Sequence, residues 1–74
     1  MSGARLIARA LARSEARWAL GQKTLAEHSE SVRVLWRLAA RIPAHEVRAE
    51  LDRDPGHRRR IKMLGATVWS EPRT

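Results

Sequence analysis

Arginine recurs at positions 5, 9, 13 and 17 of this chain, each time after an alanine, in the stretch ARLIARALARSEAR. On an α-helix that interval climbs about 6 Å per step and rotates each side chain by about 40° from the last. The climb resembles the spacing of phosphates along a nucleic-acid strand, so Arg5, Arg9, Arg13 and Arg17 form a row suited to neutralising several of them. Arg33, Arg37 and Arg41 repeat the interval, and a third group of bases, HRRRIK, fills 57–62. A surface helix must in any case turn something polar outward, and arginine beside alanine is a good helix-forming choice. Two such rows and a net charge of +7 shift the balance toward an anionic partner. Thirteen arginines against two lysines, Lys23 and Lys62, point the same way, since the planar guanidinium suits bidentate contact with phosphate. An amphipathic first helix lying on acidic lipid, with Trp18 at the interface, ranks lower because its apolar face is mostly alanine.

The remaining reactive residue types form no catalytic pattern. Ser2, Ser14, Ser29, Ser31 and Ser70 lie outside any nucleophile-elbow context. His28, His45 and His57 stand 17 and 12 residues apart and there is no cysteine, unlike the close ligand spacing of zinc sites. Glu46, Glu50, Asp52 and Asp54 cluster within a basic chain, where they are expected to pair with arginines rather than to move protons. The expectation is a protein that is not an enzyme and needs neither metal nor cofactor.

These side chains must be positioned by 74 residues, enough for one domain (1–74) with a thin core. Apolar spacing and punctuation predict an all-α fold of three or four helices with a short extended C-terminal tail. The first helix spans 3–20, with Ile7, Leu11, Ser14 and Trp18 on one face, the arginines opposite, and Gly21 as its stop. The second spans 31–42, capped by Ser29 or Ser31, with Val32, Leu35, Trp36, Leu38, Ala39 and Ile42 in a broad apolar arc. A third covers 43–52. Asp54 then caps a fourth that begins at Pro55 and ends at Gly65, and 66–69 is β-leaning. No apolar run reaches the length of a membrane span. Residues 1–14 are basic and free of acids, as transit peptides are, but the pattern runs on past Glu15, which favours a structural helix.

The segment IPAHEVRAELDRDPGHRRRIKMLGATVW joins a short helix, a turn, a helix rich in bases and a β-leaning strand. With SVRVLWRLAAR before it, 31–69 resembles a helix-turn-helix or winged-helix DNA-binding domain, whose core would be 31–64. The resemblance implies that Val47 and Leu51 pack the supporting helix and that Ile61 and Leu64 pack the recognition helix. It also implies that Arg58, Arg59 and Lys62 face DNA, with His57 and Arg60 partly packed. The tetrapeptide VLWR at 34–37 is similar to the Leu-Tyr-Arg motif of small basic mitochondrial assembly proteins, and no role is carried over from it.

The function expected is that of a small basic DNA-binding protein, a transcriptional or phage-type regulator acting as a cytoplasmic homodimer, with DNA preferred over RNA. The rival is a helical interaction subunit that docks Trp18, Trp36 and its apolar stripes, Ile7 and Leu11 among them, into a larger protein or ribonucleoprotein assembly. Either way, that face of the first helix is expected to need a surface to cover it.

Overall fold

Alanine and arginine, both strong helix formers, carry α1 (Gly3–Ala19) through nearly five turns. Gly21 ends it at φ 74°, a conformation that costs a side chain dearly and a glycine little. The Gln22 amide donates to the Arg17 carbonyl (2.8 Å) and the Gly21 amide to Trp18 (2.9 Å), the paired bonds of a Schellman stop. This geometry comes from a computed structural model, which describes residues 3–64. The side chains of Ile61, Met63 and Leu64, and the expected extended segment at 66–69, lie outside the described part.

The second helix starts earlier than its apolar arc suggests. α2 (Leu25–Leu38) is opened by Thr24, whose Oγ1 accepts from the Glu27 amide (3.1 Å) while Glu27 Oε1 accepts from the Thr24 amide (2.9 Å). This capping box satisfies two end donors at once and makes Ser29 and Ser31 interior residues. The helix also stops short of Ile42. Pro43 disfavours helical geometry at the residue before it, and 39–42 form a turn closed by the Ile42 amide on Ala39 (2.8 Å). α3 (Ala44–Asp52) and α4 (Pro55–Leu64) follow. The Asp54 carboxylate accepts from the Gly56 amide at 2.9 Å, so it caps α4 as its place before Pro55 predicts.

Four helices and no strand make up the described residues, an all-α domain. Its centre is α1, which packs against α2, α3 and α4, while the α2 backbone comes close to neither α3 nor α4. Within the span 31–64, the helices whose backbones approach closely are α3 and α4. Small residues explain the placement: Ala4 and Ala8 are buried beside Leu11, letting neighbouring helices approach the α1 backbone closely. Val32, Val47 and Leu51 complete the buried cluster, with Ile7, Leu35, Trp36 and Ile42 packed around it. The α1 face expected to need a partner is thus covered by the chain's own helices. Leu11 is fully buried, Ile7 packs on the core, and Trp18 stacks on His28 with ring centres 5.0 Å apart. No helix among the described residues is long and apolar enough to cross a membrane.

Candidate nucleic-acid interface

Burying Ala4, Ala8, Leu11 and Glu15 on one side of α1 forces Arg5, Arg9, Arg13 and Arg17 onto the other, and all four are exposed. None of them makes a hydrogen bond or ion pair among the described residues. Two clefts flank the row. One, of about 310 Å³, brings Arg53 from the end of α3 beside Arg5 and Arg9. The other, of about 380 Å³ between α1 and α2, brings Lys23 beside Arg13 and Arg17. Lys23 is held there by donating from Nζ to Ser14 Oγ (2.9 Å) and Ser31 Oγ (2.8 Å). Six cations therefore wind along α1, Arg5, Arg9 and Arg53 on its α3 flank and Arg13, Arg17 and Lys23 on its α2 flank, and no spacing rule identifies Arg53 and Lys23 because they come from turns. The acids nearby are partly engaged: Glu50 accepts from Arg53 (3.2 Å) and Asp54 from Arg60 (3.2 Å).

The bases at the start of α4 divide into two groups. His57 and Arg60 turn inward, whereas Arg58, Arg59 and Lys62 are exposed. What the inward pair meets is Glu15, fully buried on α1. Arg60 Nε donates to its carboxylate at 2.8 Å, and His57 Nδ1 lies 3.1 and 3.2 Å from its two oxygens. Burial works to raise the Asp54 pKa, but the Gly56 amide and the Arg60 guanidinium outweigh it and hold the carboxyl below its ordinary value. Gly56 leaves space for that pairing, because a Cβ there would come within 2.7 Å of the Arg60 guanidinium. The Glu15 cluster locks α4 to α1, yet Arg58, Arg59 and Lys62 line neither cleft beside the arginine row. A signal for Glu15 was present: it continues the 4, 8, 11 register of the buried face.

A second buried polar cluster joins α1 to α2. Ser14 Oγ lies 2.7 Å from His28 Nδ1, with His28 fully buried under Trp18. Burial pushes the His28 pKa down, and Lys23 adds to this against a smaller pull upward than burial exerts, from Glu15. The pair has the spacing of a nucleophile and its base. Ser14 sits mid-helix, however, where the surrounding amides are committed to carbonyls one turn back and offer no oxyanion donors. The cluster's evident work is to join the two helices. Arg33 and Arg37 are exposed on α2 and Arg41 is exposed in the turn after it, off the second helix on which its spacing from them predicts it, with Arg33 pairing with Glu30 at 2.8 Å.

The chain matches no known protein family, no curated protein and no solved structure. Its function must be read from this geometry.

Proposed function

We propose that this protein binds nucleic acid, with duplex DNA as its ligand and the arginine face of α1 as its main contact. One observation carries the reading. Arg5, Arg9, Arg13 and Arg17 stand exposed in one row with no hydrogen bond or ion pair to any described residue, while Glu15, the acid of their own helix, is buried away from them beneath His57 and Arg60. Had the row served only the fold, an acid four residues along the same face would have been the usual companion. Arg53 and Lys23 extend the row sideways into its flanking clefts. Such a face tracks phosphates and fixes the protein on the duplex, without reading sequence by itself.

Arg58 and Arg59, exposed in the first half of α4, and Lys62, exposed in its last turn, are assigned to base contact. The protein is on this reading a small DNA-binding regulator. Two double substitutions test it in electrophoretic shift series on random and selected duplexes. Changing Arg5 and Arg9 to Ala weakens all sequences alike. Changing Arg58 and Arg59 to Ala also relaxes sequence preference, by about 1–3 kcal/mol for each arginine that reads a base. Identical behaviour of the two doubles on every duplex removes the role of α4 as a reading head. Tighter binding to duplex RNA than to duplex DNA overturns the choice of ligand.

A further inference from the structure

We infer that the groove between α1 and α2 docks an acidic, amphipathic helix from a partner protein. The groove is lined by Ala10, Arg13 and Arg17 on one side and by Ser31, Val34 and Leu35 on the other. The groove's lining comes from α1, α2 and Lys23 in the turn between them, and among the described residues α1 is the helix whose backbone α2 approaches closely. The lining continues beyond the groove at its apolar end. Leu6 stands one turn before Ala10, and Leu38 one turn after Val34. Trp18 near the end of α1 stacks on His28 near the start of α2, and Ile42 just after α2 lies against Gly3 at the start of α1, so the two helices run antiparallel and Leu38 lies beside the early turns of α1. Leu6, Val34 and Leu38 are 52%, 42% and 72% exposed, high for large apolar side chains.

One end of this strip is apolar and the other cationic. At the cationic end Arg13, Arg17 and Lys23 face Glu30, whose carboxylate Arg33 already engages, and Arg17 and Lys23 also feel Glu27, whose carboxylate accepts from the Thr24 amide. From Leu6 to Arg17 the strip measures about 16 Å, or three helical turns, the reach of one short amphipathic helix. Charge selects the occupant. A second copy of this +7 chain would bring further arginines to a cationic groove, and a nucleic acid would leave Leu6, Val34 and Leu38 uncovered. A partner helix with leucine-like residues along one face and carboxylates near one end satisfies both halves. It would occupy Arg13 and Arg17, and so would compete with any ligand of the α1 row. The inference rests on the groove and stands whether or not the row binds DNA.

The test uses the full chain without nucleic acid and two fluorescent, side-chain-stapled 14-residue helices. Each carries leucines at three- and four-residue intervals, with glutamates in either the first or the last two turns. A third probe has lysines in place of the glutamates. The inference expects saturable anisotropy with at least one acidic probe and none with the lysine probe. Leu38→Glu and Val34→Glu each weaken the acidic probe by about tenfold or more, with helical content and melting unchanged because both sites are exposed. Arg13→Glu with Arg17→Glu weakens it comparably and lets the lysine probe bind. Failure of both acidic probes overturns the inference, as does binding that Leu38→Glu leaves intact. Sedimentation showing a wild-type dimer that Leu38→Glu dissociates gives the groove to a second copy, and overturns it too.

Discussion

Replacing Glu15 with alanine removes a single carboxylate that is wholly buried and joins α1 to α4. Its side chain is 1% exposed and accepts from Arg60 at 2.8 Å, with His57 Nδ1 at 3.1 Å. Deleting one partner of a buried pair costs about 3–5 kcal/mol, chiefly by stranding the other. Here Arg60 keeps Asp54 at 3.2 Å and is itself 19% exposed, so the lower end of that range applies, about 3 kcal/mol. A domain of this length holds only about 4–11 kcal/mol in total. The loss corresponds to a melting point lower by about 12–24 °C. Urea titration followed by helical circular dichroism measures it. The internal control is Arg33→Ala, whose partner Glu30 is 61% exposed, and which costs less than about 1 kcal/mol. Glu15→Gln, which keeps an acceptor for Arg60, falls between the two. If Glu15→Ala lands within about 1 kcal/mol of wild type, the buried cluster does not hold α4 to α1.

Two further outcomes follow from the α1–α2 contact. Burial holds the His28 pKa below its unfolded value, so the unfolded chain takes up that proton first. Stability present at neutral pH is therefore lost as pH falls from about 6.5 through the lower folded value. Thermal melts from about pH 7.5 to about pH 5 should show this fall, flattened in His28→Asn; parallel curves for the two proteins would refute it. Thr24→Ala removes the hydroxyl of the capping box and should cost about 1 kcal/mol, read as a melting point lower by about 4–8 °C. An unchanged melting point would mean that α2 is held by its packing alone.

What the sequence made legible depended on whether a local rule was enough. The period of four separates the α1 arginines from its buried side, and Gly21 and the Asp54-Pro55 pair mark helix ends through backbone chemistry that acts within a few residues. The start of α2 was legible too, in Thr24 and Glu27, but the polar stretch around it reads as a loop when apolar periodicity is followed first. Those polar residues are mostly its exposed first turns. Harder to read was the choice of central helix. Ala4 and Ala8 give α1 a weak apolar signal, yet their small size is what lets other helices close upon it. The face of Ile7, Leu11 and Trp18 consequently looks short of cover in the sequence and is covered in the fold. Glu15, Ser14 and His28 were legible as residue types and as members of a face. Their partners lie 42 and 14 residues away along the chain, a distance that only the tertiary arrangement closes.

If the exposed α1 row neutralises phosphates, its binding must weaken steeply with salt. Binding of the full chain to a random-sequence duplex is followed across about 50–200 mM salt, alongside a variant with Arg5, Arg9, Arg13 and Arg17 all changed to Gln. Four phosphate contacts predict that the wild-type slope of log K against log salt is steeper than the variant's by about 3.6. Over that fourfold range the difference amounts to an extra loss of affinity of about 150-fold. Equal slopes for the two proteins, or no binding of the wild type at the lowest salt, would contradict the account.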